Sequence, residues 1–406
     1  MPFFSVVIPT RNRPELVKNA IASVLAQDFP DYELVVSDNS DDAMAKPTLA
    51  YIEEVLNHPQ IRYIRPPQVL SMSDHWEWAM RQTNGEFSGV LTDRMVFKHY
   101  ALRTIHNVLQ EKKLELISFL ADDLHGNSAP FRLSLHPYQS IATVVRSEEI
   151  LADCARAKFS NRLPKMLNSF CRTERMSALI PEYGSIFTSI SPDYAFCFRI
   201  LDQLDAFISL DHRLIVRGWR TQSNGYSFTL NRMNAHSQDF MQLYGGLEQW
   251  FEYAPIPLPV HIISNFIALE YEIARIHQRS ARFKPIDKAN FYYEANRKLK
   301  KLLGLGYDLT RETTLLEEFR QNHGIPSTPF KDGSGYWYYK RMKRITEKLL
   351  TYPFKRLVEP VLRLITDHLN VSIRGRPVKA LRYRDFDSVD EALRFEARYF
   401  GPPESA

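Results

Sequence analysis

Short apolar segments alternate with helical patterns along the first part of the chain, and this alternation restricts the fold more than any other feature. Residues 3–8, 33–37 and 87–91 are nearly continuous apolar runs, the pattern of strands buried on both faces. Helical segments lie between them, the first with Asn12 as its expected cap and Pro14 in its first turn. This order is typical of βαβ units. The sequence therefore predicts an α/β fold in which a mostly parallel sheet is flanked by helices.

The character of the sequence changes near residue 237. At 406 residues the chain exceeds the usual size of one domain, and its 44% hydrophobic residues suffice for more than one core. Beyond this point helical spacing dominates, and Lys, Arg and Glu are frequent. We expect a sheet domain over residues 1–237, followed by an all-helical region over residues 238–406.

Charge and cysteine content exclude several classes of protein. The net charge of +5 is mild for this length and does not indicate nucleic-acid binding. Cys154, Cys171 and Cys197 are far apart and form no CxxC pair, so neither a disulfide framework nor a zinc site is indicated. The N-terminus lacks a signal-peptide pattern, and no apolar run reaches the roughly 20 residues that cross a bilayer. These features predict a soluble, cytoplasmic protein.

Polar and charged residues follow the predicted strands at the point where each strand ends. Ligands of open parallel sheets bind beyond the carboxyl ends of the strands, so these residues are expected to meet at one edge. The candidate ligand-binding residues are Pro9, Thr10, Arg11, Arg13, Asp38, Asn39, Asp93 and Arg94.

These motifs resemble those of the inverting family 2 glycosyltransferases, which have the GT-A fold. Residues 9–13, 35–42 and 85–93 carry the resemblance over roughly the first 100 residues, and residues 191–194 and 223–225 extend it more faintly. The resemblance implies transfer of a sugar from a nucleotide-sugar donor, often UDP-linked, to a hydroxyl of a glycan or lipid-linked acceptor. Bacterial surface polysaccharide or glycolipid synthesis is the setting that it implies. The sheet domain would then bind the donor and catalyse transfer, and the helical region would shape the acceptor side.

Asp38 is the candidate contact to the base of the donor. In the family, an acidic residue at the end of the second strand contacts uracil, and an ionised carboxylate suits the N3–H donor of that ring. Ser37 stands where many members have a first Asp. The alternative for Asp38 is an Asx turn that caps its own backbone.

Asp93 and Arg94 occupy the place where the family usually presents two acidic residues around a divalent metal. Asp93 is retained as a candidate ligand of Mg²⁺ or Mn²⁺, but Arg94 replaces the second carboxylate, which leaves the metal in question. Arg94, with Arg11 or Arg13, is the candidate to neutralise the leaving diphosphate instead. The alternative is that Arg94 pairs with Asp93 or points to solvent.

Asp193 is the candidate general base. Inverting transfer needs one group that deprotonates the acceptor hydroxyl, and the family's base is an acidic residue that opens a helix. Asp193 follows Pro192 at such a predicted helix start, where capping alone is the alternative role.

Tyr183 and Gly184 are candidates for the acceptor pocket, from their position in the chain.

The basic, partly amphipathic stretch 341–358 permits two interpretations. It suits a solvated helix that packs on the sheet domain, which the composition favours, and it also suits peripheral contact with anionic lipid at the inner face of the membrane.

Two rival functions are open to the same sequence. A catalytically degenerate nucleotide-sugar-binding protein would explain Arg94, although Asp93 and Asp193 are retained. A nucleotidyltransferase would need a glycine-rich loop after the first strand, and residues 9–13 contain no glycine. No phosphate-binding GxxxxGK[ST] motif occurs either.

Overall fold

The computed structural model describes most of the chain: residues 1–126, 128–136, 138, 141–187, 189–229, 235–328, 372–373, 376–377 and 383–402. The basic stretch 341–358 lies outside the described residues.

The predicted alternation of strands and helices forms the first half of the sheet. The elements are β1 Phe4–Thr10, α1 Pro14–Leu25, β2 Tyr32–Asp38, α2 Asp42–Ala50, β3 Ile61–Ile64, α3 Met72–Met80 and β4 Phe87–Val90. A π-helical turn, Tyr51–Leu56, continues α2. The four strands are parallel in the order β4-β1-β2-β3. All of their carboxyl ends therefore face one edge of the sheet.

The second half of the sheet is mixed. It is built from β5 Met95–Phe97, α4 Ala101–Lys112, β6 Leu116–His125, β7 Phe131–Ser134, β8 Ala142–Arg146, α5 Ser147–Ala155 and β9 Ser169–Arg172, with β10 Ala206–Arg217 as its longest strand. β10 runs parallel to β6 and antiparallel to β5 and β8, and β9 runs antiparallel between β4 and β6. The predicted α/β fold is confirmed, with its parallel part concentrated before residue 91.

Helices dominate the rest of the described chain. They are α6 Thr173–Ser177, α7 Leu179–Tyr183, α8 Pro192–Gln203, α9 Asn224–Thr229, α10 Ala235–Leu243, α11 Ile263–Ile276, α12 Lys288–Leu303, α13 Thr310–Asn322 and α14 Val389–Phe400. The predicted helical C-terminal region is confirmed in this sense. Helix α10 spans residue 237, so the division into 1–237 and 238–406 is not a break in secondary structure and stays a prediction.

The C-terminal region is not all-helical, which corrects the expectation from sequence. β11 Ser372–Ile373 pairs antiparallel with β12 Arg376–Pro377, and β13 Tyr383–Phe386 pairs antiparallel with β7. A strand from the end of the chain thereby covers the edge of β7, which would otherwise expose unpaired backbone groups.

Apolar side chains cover both faces of the parallel strands. In β1, Val7 belongs to the core beneath α3 and α8, whereas Val6 and Ile8 belong to the core beneath α1 and α4. This is why the strands read as continuous apolar runs rather than as alternating ones. Glycine is required where β4 begins, because a Cβ at Gly85 would lie 2.5 Å from the backbone nitrogen of Ser5.

Helix α14 is anchored to the sheet by a buried ionic cluster. Lys98 lies 2.8 Å from Asp122 and 2.7 Å from Glu396 of α14, and all three side chains are fully buried. The hydroxyl of Tyr100 also donates to Glu396, at 2.8 Å. The last helix is therefore part of the sheet domain's packing.

In the part of the chain that the structure describes, no helix combines the length and the apolar character that a bilayer crossing requires.

Candidate active site

A cavity of about 290 Å³ opens at the carboxyl ends of the parallel strands. The ends of β1 and β2, the segment after β4 and the start of α8 form one side of it, and α10 and α11 form the other. Most of the predicted site residues line it: Pro9, Thr10, Arg11, Arg13, Asn39, Asp93 and Arg94 from strand ends, and Asp193 from the start of α8. The structure thus brings seven of the eight predicted donor-binding residues and the predicted base to one cavity.

Thr10, Arg13 and Asp93 form the centre of this edge. Thr10 pairs in register with Asp38 across β1 and β2, and its hydroxyl donates to Asp93 at 3.1 Å. The guanidinium of Arg13 lies 3.4 Å from the other oxygen of Asp93. The ion pair to Asp93 is therefore made by Arg13 rather than by its neighbour Arg94.

Asn12 links the loops that follow β1 and β2 instead of capping α1. Its φ of 54° is left-handed, its backbone N–H donates to the Ser40 hydroxyl at 2.7 Å, and its side chain accepts from the Asp41 N–H at 3.2 Å. The cap position of α1 is held by Arg13. The expected cap at Asn12 is wrong because these cross-loop bonds use its side chain.

Asp38 is fully buried and does not line the cavity. One carboxylate oxygen accepts from the Ser40 N–H at 2.9 Å, which is the Asx-turn contact, and the other accepts from the Tyr63 hydroxyl at 3.0 Å. Asn39 does line the cavity, and its carboxamide bonds the backbone of Leu70. The base-contact role of Asp38 stays a prediction.

Asp239 of α10 closes the cavity opposite β1. Arg11 makes a bidentate pair with it, at 2.7 and 2.9 Å, and this bond lowers the pKa of the Asp239 carboxyl. His236 also lines the cavity. No local motif marks Asp239, because its partner Arg11 lies 228 positions away in sequence.

Arg94 is a partly buried cation on the cavity wall. Among the described residues, no carboxylate oxygen lies within 4.0 Å of its guanidinium. Burial lowers the pKa of Arg94 to about 10, against the raising effect of Asp93, so it stays charged at neutral pH.

The residues around Asp93 do not fit a divalent metal well. One carboxylate, already bonded to Thr10 and Arg13 and followed by Arg94, supplies little of the negative oxygen environment that Mg²⁺ or Mn²⁺ prefers. The described residues also contain no group of three or more His, Cys, Asp or Glu side chains placed to hold an ion.

Asp193 opens α8, with Ser191 as the cap residue and Pro192 in the first turn. Its carboxylate faces the cavity, and in the described chain no cationic side chain forms an ion pair with it within 4.0 Å. Burial raises the pKa of Asp193, while Lys165, the backbone N–H groups of the helix start and Arg94 act in the opposite direction. A carboxylate with a raised pKa is a stronger base.

Glu270 of α11 is hydrogen-bonded to the residue that caps α8. It accepts from the Ser191 N–H at 3.2 Å, and burial raises the pKa of Glu270 to about 8. Its ordinary pKa is near 4.5, so between these two values the folded protein holds a proton that the unfolded chain releases. Stability from this group is therefore lost as pH rises towards 8.

We expect Glu270→Gln to gain stability relative to the wild type by about 2 kcal/mol between about pH 6.5 and pH 8.5. The neutral amide keeps the shape of the protonated carboxyl and does not titrate. Buried His75 and His212, whose pKa values burial lowers to about 3, titrate alike in both proteins and cancel in the comparison. Denaturant unfolding across the window measures the difference, and Glu318→Gln on the exposed face of α13 is the matched control. If the unfolding free energies of wild type and Glu270→Gln change with pH in parallel, the raised pKa of Glu270 is contradicted.

Tyr183 and Gly184 lie away from the cavity. The Tyr183 hydroxyl donates to Asp202, and its ring lies under the Arg199 guanidinium at 5.5 Å. Gly184 ends α7 with a φ of 80°, the left-handed conformation that glycine accepts at a helix end. Their proposed acceptor role stays a prediction.

Comparison with known proteins bears on the same region. Residues 5–153 match the model of the glycosyl transferase family 2. The GalNAc(5)-diNAcBac-PP-undecaprenol beta-1,3-glucosyltransferase of Campylobacter jejuni subsp. jejuni serotype O:2 is 30% identical over 128 residues, which are 31% of this chain and 41% of that protein. The chain thus spans about two fifths of the length of this curated relative.

Solved structures of S. aureus TarS also align with the chain. TarS 1–349 in complex with UDP-GlcNAc has 15% identity and a TM-score of 0.45, over 80% of this chain and 93% of that chain. The complex of TarS 1–349 with UDP has 18% identity and a TM-score of 0.42, over 62% of this chain and 72% of that chain.

The family match contains β1 to β8, and with them the strand ends that carry Thr10 and Asp93. Over residues 5–153, the chain is therefore similar to the glycosyl transferase family 2.

Proposed function

We propose that this chain is an inverting glycosyltransferase that moves a sugar from a UDP-linked donor to a hydroxyl acceptor. The observation that carries the proposal is that one cavity presents both an anionic and a cationic side chain. Asp193 and Arg94 both line it, and neither forms an ion pair within the described residues. A free carboxylate and a free guanidinium suit the two charges that sugar transfer develops.

The proposed reaction uses Asp193 as the base. The acceptor oxygen attacks the anomeric carbon while its proton passes to the Asp193 carboxylate. The bond from the anomeric carbon to the diphosphate oxygen breaks on the opposite side, and the nucleoside diphosphate leaves with the electron pair. One displacement inverts the anomeric configuration.

Arg94 and Arg13 are proposed to stabilise the leaving diphosphate. Both line the cavity, and the Nε of Arg13 is buried without a hydrogen-bond partner among the described residues. Guanidinium groups make charge-assisted, often bidentate bonds to phosphate oxygens. A donor diphosphate held in this way needs no divalent metal.

Two further parts of the proposal rest on relatives. The Campylobacter jejuni protein is named for an acceptor linked through PP-undecaprenol, which supports a lipid-linked glycan as the acceptor here and glycolipid or surface polysaccharide synthesis as the setting. UDP as the carrier follows from the family resemblance. Helices α10 and α11 supply the wall opposite β1, which supports an acceptor-side role for the C-terminal region.

A degenerate nucleotide-sugar-binding protein is the second candidate, favoured by Arg94 in place of the second acidic residue. It would bind the donor without turnover. The two candidates share donor binding and differ in catalysis.

We expect a UDP-linked sugar to raise the melting temperature of the protein equally with manganese and with excess EDTA. A ligand present at a hundred times its Kd stabilises the folded state by about 2.7 kcal/mol. A thermal-shift screen of UDP-, GDP- and CDP-linked sugars measures this, and Arg94→Gln should weaken the shift in both conditions. A shift that EDTA abolishes and manganese restores would refute the metal-free arrangement, and no shift with any donor would refute the function.

A further inference from the structure

A second cavity, of about 320 Å³, adjoins the first beside Arg94. Arg94, Leu167 and Ser223 line both cavities. The second one is strongly basic: its lining holds four cationic side chains and no carboxylate, the cations being Arg94, Lys165, Arg213 and Arg217.

Two of these four cations are already neutralised. Arg213 lies 3.2 Å from Asp122, and Arg217 lies 3.1 Å from Asp123, with both carboxylates outside the cavity lining. Arg94 and Lys165 have no carboxylate within 4.0 Å in the described ranges. The cavity therefore carries about two uncompensated positive charges, and partly buried charges without partners are costly unless a ligand supplies the counter-charge.

Lys165 connects this cavity to the candidate base. Its ammonium lies 5.4 Å from the ring centroid of Tyr194, the residue after Asp193, and the charges of Lys165 and Arg94 both act on the Asp193 carboxyl. A molecule whose hydroxyl meets Asp193 in the first cavity can therefore place an anionic group in the second.

We infer that the second cavity binds a phosphate group of the acceptor. This inference rests on the proposed function. A phosphate monoester carries a charge of about −1.5 to −2 at neutral pH. Lys165 supplies one positive charge for it, and Arg94, which lines both cavities, is shared with the donor diphosphate. The acceptor is thus a phosphorylated alcohol or glycan whose phosphate binds Lys165, with Arg94 shared between this phosphate and the donor diphosphate, so that the acceptor hydroxyl points at Asp193.

The test uses the full chain saturated with UDP, so that the donor cavity is filled. We expect glycerol phosphate to bind with a Kd of roughly 1 mM, and glycerol to show no binding, by isothermal titration at fixed ionic strength. Lys165→Met should raise the Kd for glycerol phosphate about tenfold or more and leave UDP affinity unchanged. Lys165→Arg should retain the affinity, and Lys300→Met on the exposed face of α12 should not alter it.

A short-chain phosphatidic acid distinguishes the two sources of phosphate. Affinity equal to that of glycerol phosphate means that the cavity recognises the phosphate alone, and tighter binding that Lys165→Met removes means a lipid-linked phosphate. UDP binding without a Lys165-dependent phosphate site would overturn the inference and leave the proposed function intact. Failure of UDP itself to bind would instead count against the proposed function.

Discussion

Asp193→Asn should lower the turnover of sugar transfer about a thousandfold while leaving donor affinity within a factor of about two. The amide keeps the size of the carboxyl at the start of α8 but cannot accept the acceptor proton at neutral pH. Asp193 lines the cavity without an ion pair in the described residues, and the amide oxygen of Asn can still accept from the backbone N–H groups at the start of α8. Transfer is measured by release of the nucleoside diphosphate, and donor affinity by titration of the same preparation.

Asp239→Asn is the matched control for this prediction. Asp239 lines the same cavity, but its carboxylate is neutralised by Arg11 at 2.7 Å. Its loss should act mainly through Arg11 and the cavity wall, on donor affinity rather than on turnover.

The pH dependence of turnover adds a second readout. Burial raises the pKa of Asp193, so wild-type turnover should fall as pH drops through that value, because the base becomes protonated. An Asp193→Asn variant with turnover near that of the wild type would remove Asp193 as the base and favour the degenerate binding protein.

The parallel half of the fold could be predicted because its signals are local. Strands such as β1 are continuous apolar runs, and the polar residues at their ends follow directly in sequence. Once strands are parallel, their ends must share one edge, so the sequence alone suffices to place Thr10, Asp93 and Arg94 together.

The mixed half could not be predicted in the same way. β10 carries Asp211, His212 and Arg213 in its middle, which interrupts any apolar run, and its pairing with β6 contains register shifts. Arg213 pairs with Asp122 and lines the basic cavity, and His212 hydrogen-bonds Tyr100. None of these partners is visible in the sequence of one strand. The strand β13 likewise pairs with β7 across some 250 positions of sequence.

The cavity wall opposite β1 could not be predicted from the sequence either. Asp239 meets Arg11 across 228 positions, so neither residue signals the other. Asp38 shows that a position at a strand end does not by itself place a side chain in the cavity. It lies at the predicted strand end, but its side chain points into bonds with Ser40 and Tyr63 rather than into the cavity.

The buried ionic cluster that anchors α14 gives the other large expected effect. Lys98→Met should destabilise the protein by about 3–5 kcal/mol, because among the described residues it leaves Glu396 fully buried without a cation and leaves buried Asp122 with only Arg213 and His136. Burial already raises the pKa of Glu396, and Lys98 is the largest influence against that rise. Denaturant unfolding measures the loss, and hydrogen exchange should show α14 opening before the sheet.

Two further variants separate this cluster from ordinary surface charge. Lys18→Met removes a lysine from an exposed pair with Glu15 at 2.8 Å, and should cost less than about 0.5 kcal/mol. Glu396→Gln combined with Lys98→Met should be less destabilising than the sum of the single changes, since each removes a partner of the same buried pair. Strict additivity, or a loss below about 1 kcal/mol for Lys98→Met, would mean that α14 is held by its apolar face alone. Coupling of the expected size would instead make the last helix of the chain a structural part of the same sheet domain that holds the candidate active site.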